Sequence, residues 1–199
     1  YLDTDERRRF AQASHEYLIE QLQVQEEGSS GTNYKLNFNH PVKELIWVIQ
    51  DADAASGATS NIDATLNVDG TVSNKNDFFC YSSPTSNTES IYGVSQNESF
   101  CTAKLKINGH DRFAARNASY FRLCQPQQAG HKIPTKHIYN YSFALKPEEH
   151  QPSGTCNFSR IDNSELIFTG TVAGTLSVYA INYNVLRITS GMGGLAYSN

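Results

Sequence analysis

Residues 175–199 read TLSVYAINYNVLRITSGMGGLAYSN, a long apolar segment followed by a glycine-rich turn. Apolar side chains recur at every second position of this segment, and this is the period of a β-strand. The apolar phase slips by one between Ala180 and Ile181, for which a bulge or a sharp bend is the simplest cause. No helix is expected after the turn at Gly191. The segment therefore predicts a long strand of an antiparallel sheet.

The period of two continues through most of the chain. Residues 43–50 are apolar on both faces, which predicts an interior strand with Trp47 as its core anchor. Asn108-Gly109 predicts a turn after a strand at residues 103–107. About eight strands without alternating helices indicate an all-β fold, an eight-stranded antiparallel jelly-roll sandwich. The other strands are predicted at residues 34–38, 62–68, 78–81, 138–145, 155–161 and 165–169.

Two helices are predicted beside the strands. Asp3 and Glu6 form a capping pair, so an amphipathic helix should begin near Thr4 and cover Glu6–Gln23. Its apolar positions are Phe10, Tyr17, Leu18 and Leu22. The run Arg7–Arg9 is interpreted as solvated or interface charge. A short helix is expected in a loop within residues 113–123, before an irregular segment at residues 125–135.

The composition limits the possible functions. The 199 residues carry a net charge of -4, which argues against direct nucleic-acid binding because that binding depends on clustered Lys and Arg. The longest apolar run, Leu45–Ile49, is far too short for a membrane of roughly 30 Å. A chain of this length buries roughly 70% of its surface and can be stable as one domain without disulfides or a metal.

The cysteines and glycosylation sequons carry no specific chemistry by themselves. The cysteines are widely spaced and lack a CxxC pair, so we expect reduced core residues, with a disulfide as the less favoured alternative. They are Cys80, Cys101, Cys124 and Cys156. The N-x-S/T sequons would carry glycans only in a secretory compartment. They begin at Asn97, Asn117, Asn140 and Asn157.

No catalytic, cofactor-binding or metal-binding residue is predicted. The histidines form neither HExxH nor HxH, and the spacing of His131 and His137 does not suit one strand face. The segment Asp51–Gly57 has calcium-loop character but lacks a closing acidic residue. The segment Glu148–His150 is interpreted as part of a polar connection. We therefore expect no enzymatic activity.

Five segments, in order along the chain, resemble the major capsid proteins of large nucleocytoplasmic double-stranded DNA viruses. They are ERRRFAQASHEYLIEQLQ (Glu6–Gln23), NFNHPVKELIWVIQ (Asn37–Gln50), KINGHDRF (Lys106–Phe113), NYSFALKPEEHQPSGTCNFSRIDNSELIF (Asn140–Phe168) and LRITSGMGGLAYSN (Leu186–Asn199). The family is built as two jelly rolls in tandem. The resemblance implies that residues 1–30 are the inter-domain linker helix and residues 31–199 the C-terminal jelly-roll domain, with the first jelly roll absent.

The resemblance also implies a structural function in the virion. Three chains would form a trimeric, pseudo-hexagonal capsomer, and the capsomers would tile an icosahedral capsid assembled in the host cell cytoplasm. The implied partners are other copies of the chain, neighbouring capsomers and minor capsid proteins, and no cofactor is implied. Under this interpretation, loops within residues 51–99 and 109–135 project outward or meet neighbouring capsomers. Residues 147–154 order a connection near the subunit boundary.

Two alternatives remain open from the residues. A carbohydrate- or receptor-binding jelly roll of a viral surface protein would present solvent-facing aromatic side chains on a loop. The candidates for that site are Tyr81, Tyr92 and Phe100. A cupin-like enzyme would bind a stoichiometric transition metal inside its barrel.

Overall fold

The structure is a computed structural model that describes residues 1–28, 31–50, 81, 98–172 and 174–198. Several sequence predictions lie outside these residues. They concern the strands at residues 62–68 and 78–80, the segment Asp51–Gly57, Cys80, Tyr92 and Asn97.

The N-terminal helix begins as predicted but is much shorter. Helix α1 covers Thr4–Gln12, and Asp3 and Glu6 form the expected capping box. A 13-residue strand, β1 (His15–Glu27), then replaces the predicted second half of the helix. The prediction failed because Leu18 and Leu22 are four residues apart, and this spacing puts two side chains on one side of a helix and also on one side of a strand. The linker role of residues 1–30 stays a prediction.

The first sheet is built around the longest strand, β10 (Thr175–Thr189). Its strand order is β1-β10-β3-β7, where β3 is Pro41–Gln50 and β7 is Tyr139–Ser142. Two short strands extend it, with β8 (Cys156–Asn157) pairing β3 and β11 (Met192–Leu195) pairing β10. The predicted interior position of β3 is confirmed, since it pairs antiparallel with β10 on one side and with β7 and β8 on the other.

The second sheet contains β2 (Gly31–Lys35), β4 (Thr102–Ile107), β5 (His110–Asp111), β6 (Arg116–Asn117) and β9 (Ser164–Val172). Its strand order is β2-β9-β4-β5, and β6 also pairs with β4. The chain crosses repeatedly between the two sheets, so strands distant in sequence become neighbours, and this is the path of a jelly roll. The predicted all-β jelly-roll class is confirmed; the described residues form eleven strands, of which β5, β6 and β8 have only two residues each.

Aromatic side chains connect the two sheets through the core. Trp47 on β3 is 1% exposed and stacks on Tyr139 of β7 with ring centroids 6.1 Å apart. Phe100 lies 4.7 Å from Tyr139 and 4.7 Å from Phe168 of β9. Such pairs stabilise a core beyond their buried area. The prediction that Trp47 anchors the core is confirmed.

The irregularity predicted in residues 175–188 is present as a register shift between β10 and β3. Ile181 lies opposite Glu44, whereas Asn182 lies opposite Val42. Lys43 is therefore the extra residue, and the bulge is on β3 rather than on β10. The pairing of β10 with β1 continues without a shift.

A short helical segment crosses the loop after β6. It consists of a π-helical turn, Tyr120–Cys124, followed by helix α2, Gln125–Gln128. The helix predicted within residues 113–123 is present from residue 118, but it continues to Gln128, beyond the predicted end. Phe121 is fully buried and its ring centroid lies 5.2 Å from that of Trp47, so this segment closes one end of the core.

The Asn108-Gly109 turn follows its predicted chemistry, whereas the turn before Pro41 does not. Asn108 and Gly109 have φ values of 49° and 82° between β4 and β5, which suits a tight hairpin. His40 was expected to be extended before Pro41, but its φ is 66°. Its amide donates to Ser159 Oγ and its carbonyl accepts from Phe158 N, so tertiary hydrogen bonds hold this conformation.

Two smaller predictions were wrong. The strand predicted at residues 138–145 ends at Ser142, and Leu145 lies beyond it and is 79% exposed. The thiols of Cys101 and Cys124 are free but exposed rather than in the core, whereas that of Cys156 is half-buried. Burial raises the pKa of the Cys156 thiol.

Candidate assembly surface

The first sheet has an inner face toward the core and an outer face away from it. Paired residues on neighbouring strands share a face, so the fully buried Val178 assigns its partners Gln25 and Trp47 to the inner face. The alternate residues form the outer face. One outer row runs across all four strands, through Val24, Tyr179, Ile46 and Asn140.

Three apolar side chains are exposed on the outer face of β1. Leu18, Leu22 and Val24 are 53%, 60% and 50% exposed. Glu16, Glu20 and Glu26 lie on the same face, and Leu22 lies beside Ile181 of β10. Exposed apolar side chains bordered by charged residues on an ordered sheet are typical of a protein–protein contact.

The inner face of β1 is held by glutamine side chains. The Gln25 amide accepts from Asn37 N at 2.8 Å and donates to the Lys35 carbonyl at 2.7 Å. Gln23 accepts from Asn39 N at 3.0 Å and donates to the Asn39 carbonyl at 2.7 Å. These side chains satisfy backbone groups beyond the end of β2, which stops at Lys35 rather than at the predicted Phe38. The arrangement fixes which face of β1 points outward.

The residue at the bulge on β3, Lys43, reaches across the outer face toward β1. The Lys43 side chain is 6% exposed, and its Nζ donates to Glu20 Oε1 at 2.6 Å and to the Pro147 carbonyl at 2.7 Å. It also lies 5.6 Å from the centroid of the Tyr183 ring. Because a buried ammonium needs such partners, these contacts fix β1 and the loop at Pro147 relative to β3.

Over β3 and β7 the outer face is covered by the chain itself. His131, from the segment after α2, has Nε2 2.9 Å and 3.0 Å from the two carboxylate oxygens of Glu44, and Nδ1 2.5 Å from Glu148 Oε1. Glu44 is 1% exposed and also accepts from Asn140 Nδ2 at 2.9 Å.

A second buried ion pair closes the end of the core near Phe100. Arg122 Nη2 lies 2.6 Å from Glu98 Oε1, and the Tyr139 hydroxyl donates to Glu98 Oε2 at 2.8 Å. Burial, reinforced by the Glu98 carboxylate, raises the pKa of Tyr139 far above its usual range. Burial also lowers the pKa of the nearby His137 imidazole. The ion pair links Glu98 to the short helical segment that contains Arg122.

Two of the aromatic residues proposed for a ligand-binding loop, Phe100 and Tyr81, lie in the described part of the chain. Phe100 is completely buried in the core, so the prediction that it faces solvent is wrong. Tyr81 is half-buried, and its carbonyl accepts from Ser99 Oγ at 2.6 Å. The burial of Phe100 removes one of the three side chains that would have formed a carbohydrate-binding platform.

The sequons differ in their environment. Asn140 is buried and its amide donates to Glu44, so this side chain is not available to a glycan. Asn117 and Asn157 are exposed, and the Asn157 side chain caps the short 3-10 turn Phe158–Arg160.

Among the described residues, no group of three or more His, Cys, Asp or Glu side chains is arranged to hold a metal ion. His131 and His137 act separately, the first with two glutamates and the second near the Glu98–Arg122 pair. Over the same ranges, no helix is long and apolar enough to cross a membrane.

Comparison with known proteins agrees with the fold. The family model for the large eukaryotic DNA virus major capsid protein matches residues 6–194. The chain belongs to this family of viral major capsid proteins. It is 46% identical to the major capsid protein of Pyramimonas orientalis virus and 42% identical to that of Phaeocystis pouchetii virus, with all of this chain aligned in both cases.

The structural relatives show the same architecture over the whole chain. The capsid of the PBCV-1 virus superposes with a TM-score of 0.74 at 37% identity, and the match covers 100% of this chain and 55% of that one. The chain spans 47% and 52% of the two capsid proteins named above. It thus corresponds to about half the length of the curated relatives it matches.

Sequence reasoning missed the exposed face of β1 and the bridging position of His131. The first had a detectable signal, since residues 21–25 read QLQVQ and alternate strictly between polar and apolar side chains. The second had none, because the partners of His131 lie 87 and 17 residues away in sequence.

Proposed function

We propose that this chain is the C-terminal jelly roll of a major capsid protein and that its function is to tile a virus shell. Three copies of the double-jelly-roll protein associate into a pseudo-hexagonal capsomer, and capsomers meet one another and minor capsid proteins in an icosahedral capsid. The work is mechanical and involves no catalysis, cofactor or direct contact with nucleic acid. The protein acts in the virion after assembly in the host cytoplasm.

One observation carries this proposal beyond family membership. The outer face of β1 exposes Leu18, Leu22 and Val24 on a strand that is fixed by thirteen paired residues of β10. Obligate subunit interfaces are rich in apolar area and bury about 2,000 Å² or more. A rigid apolar face is suited to such an interface because little conformational entropy is lost when a neighbour covers it.

Sedimentation equilibrium of the complete two-jelly-roll protein tests the proposal. The wild-type protein is expected to have the mass of a trimer. Leu22→Glu places a charge in the exposed apolar face and is expected to shift the mass toward that of a monomer. Thr32→Glu is the matched control, since it adds the same charge at an exposed position of β2 and is expected to leave the trimer intact.

Two results would contradict the proposal. One is a wild-type protein that stays monomeric at high concentration. The other is a Leu22→Glu variant that remains trimeric under the same conditions as the control.

A further inference from the structure

A small cleft lies on the outer face of the first sheet, where the segment of residues 126–138 crosses β3 and β7. Its volume is about 170 Å³. The floor is formed by Glu44, Ile46 and Asn140, which are outer-face residues of β3 and β7. The overlying segment contributes Pro126, His131, Lys132, Pro134 and Ile138.

Asn140 lines this cleft, and the oxygen of its side-chain amide is an unused hydrogen-bond acceptor. The residue is 5% exposed, and its Nδ2 donates to Glu44 Oε1 at 2.9 Å. This bond fixes the orientation of the amide, since a carboxylate accepts only from the NH₂ group. The Oδ1 atom is buried and has no hydrogen-bond partner in the part of the chain that the structure describes. A buried acceptor without a donor is unfavourable, so a guest that brings a donor is favoured here.

The rest of the cleft selects the type of donor. Ile46, Pro134 and Ile138 make its walls largely apolar. Glu44 already accepts from His131 and Asn140, so it does not need a cationic guest. Lys132 lies at the cleft and repels a cation. These features favour a neutral group with an apolar body and one hydrogen-bond donor, which describes the phenol of tyrosine.

The position of the cleft indicates where this group comes from. Asn140 and Ile46 lie in the same cross-strand row as Tyr179 and the exposed Val24. A partner that covers the apolar edge at β1 therefore contacts the same outer face. In a cyclic trimer each contact joins two different patches, so a projecting side chain on one copy enters a socket on the next. Tyr197, which is 63% exposed, shows that the chain presents projecting tyrosines.

We propose that the cleft binds the side chain of a tyrosine from a neighbouring copy of this chain, with the phenol donating to Asn140 Oδ1. This inference rests on the proposed self-association. It adds a defined contact to that function and a role for Asn140.

The chemistry of the cleft is tested by titrating the full chain with N-acetyl-tyrosinamide and N-acetyl-phenylalaninamide, which differ by one hydroxyl. Methyl NMR signals of Ile46 and Ile138 report binding. The tyrosine amide is expected to bind about tenfold more tightly, the upper range for one neutral hydrogen bond. Equal affinities, no binding, or shifts confined to other methyl groups would overturn the proposal and indicate a cleft that holds water only.

Two variants separate the hydroxyl contact from the apolar one. Asn140→Leu removes the acceptor and should make the two ligands bind equally. Because this change also removes a bond to Glu44, Ile138→Asp serves as a second variant that leaves the Asn140–Glu44 bond in place. It should abolish the binding of both ligands, and unchanged binding to it would place the ligand elsewhere.

The source of the tyrosine is tested by photo-crosslinking. p-Benzoylphenylalanine replaces Lys132, which lies at the exposed rim of the cleft. Irradiation of purified trimers should crosslink two copies of the chain, and the crosslinked residue should lie close to a tyrosine. Trimers without such a product, or a product with a different virion protein, would overturn the assignment to a second copy. If no trimer forms, the proposed function and the second-copy assignment both fail, whereas the titration still reports on the cleft alone.

Discussion

The two ends of the outer face of the first sheet differ in how they are covered. Over β3 and β7 the chain covers itself, through a segment held by His131 between Glu44 and Glu148. Over β1 the same face exposes Leu18 and Leu22. The covered end uses mainly charged and polar contacts within the chain and leaves only the small cleft at Asn140 for a partner, while the open end offers apolar area. This contrast indicates that the open end is the larger contact for a neighbouring subunit.

The contrast predicts that changes at the covered end reduce stability, whereas changes at the open end reduce association. The largest effect is expected for Glu44→Ala, which leaves His131 and Asn140 Nδ2 without their buried acceptor. The free energy of unfolding should fall by about 3 kcal/mol, measured by urea denaturation. Glu148→Ala is the control, because that side chain is 67% exposed and should cost less than about 1 kcal/mol. Equal losses in the two variants would show that burial of Glu44 is unimportant.

The boundary between the two ends is tested by Glu20→Ala. This change leaves the buried Lys43 ammonium with the Pro147 carbonyl but without its carboxylate. A loss of about 2 kcal/mol in unfolding free energy is expected, less than for a fully buried pair because Glu20 is 43% exposed. The surface pair of Glu16 with Arg187 provides the comparison. Glu16→Ala should change stability by less than about 0.5 kcal/mol, and the idea fails if it matches Glu20→Ala.

The core beneath the covered end predicts a pH dependence. Burial raises the pKa of Tyr139 in the folded protein, so the unfolded chain loses this proton first, near pH 10. The stability contribution is complete below about pH 10 and is lost above it, with a slope of up to about 1.4 kcal/mol per pH unit. Tyr139→Phe should flatten the fall in stability between pH 10 and 11. An unchanged slope in urea titrations would contradict the assignment.

The smallest stability effect is expected at the open end. Leu22 is 60% exposed, so Leu22→Glu should change the unfolding free energy of the monomer by less than about 0.5 kcal/mol. The variant that is expected to disrupt the trimer should thus fold as well as the wild type. A large loss of monomer stability would mean that the face is a structural element rather than an interface.

The sequence predicted those features that depend on local pattern. The class of fold, the interior position of β3 and the Asn108-Gly109 turn follow from alternation or turn chemistry, and the structure confirms them. The irregularity predicted near Ile181 is present in the pairing, but the bulge lies on β3 rather than on β10. The β1 strand was mistaken for helix because the spacing of Leu18 and Leu22 fits both periods. The resemblance of five segments indicated the family, which the comparisons show.

The remaining features depend on contacts between distant parts of the chain. His40 adopts a positive φ because Ser159 and Phe158 bond its backbone, and no local rule anticipates those partners. The exposure of Leu18, Leu22 and Val24 likewise follows from the pairing of β1 at the sheet edge. Which face of an edge strand points outward is fixed by tertiary contacts, here by Gln23 and Gln25.

The central claim, that a neighbouring subunit covers the outer face of β1, is tested most directly by hydroxyl-radical footprinting of the isolated protein and of assembled particles. Side-chain oxidation at Leu18 and Leu22 should fall strongly on assembly, while oxidation at Leu145, which is 79% exposed in a loop, serves as an internal reference. Unchanged oxidation of both β1 leucines in intact particles would contradict the account.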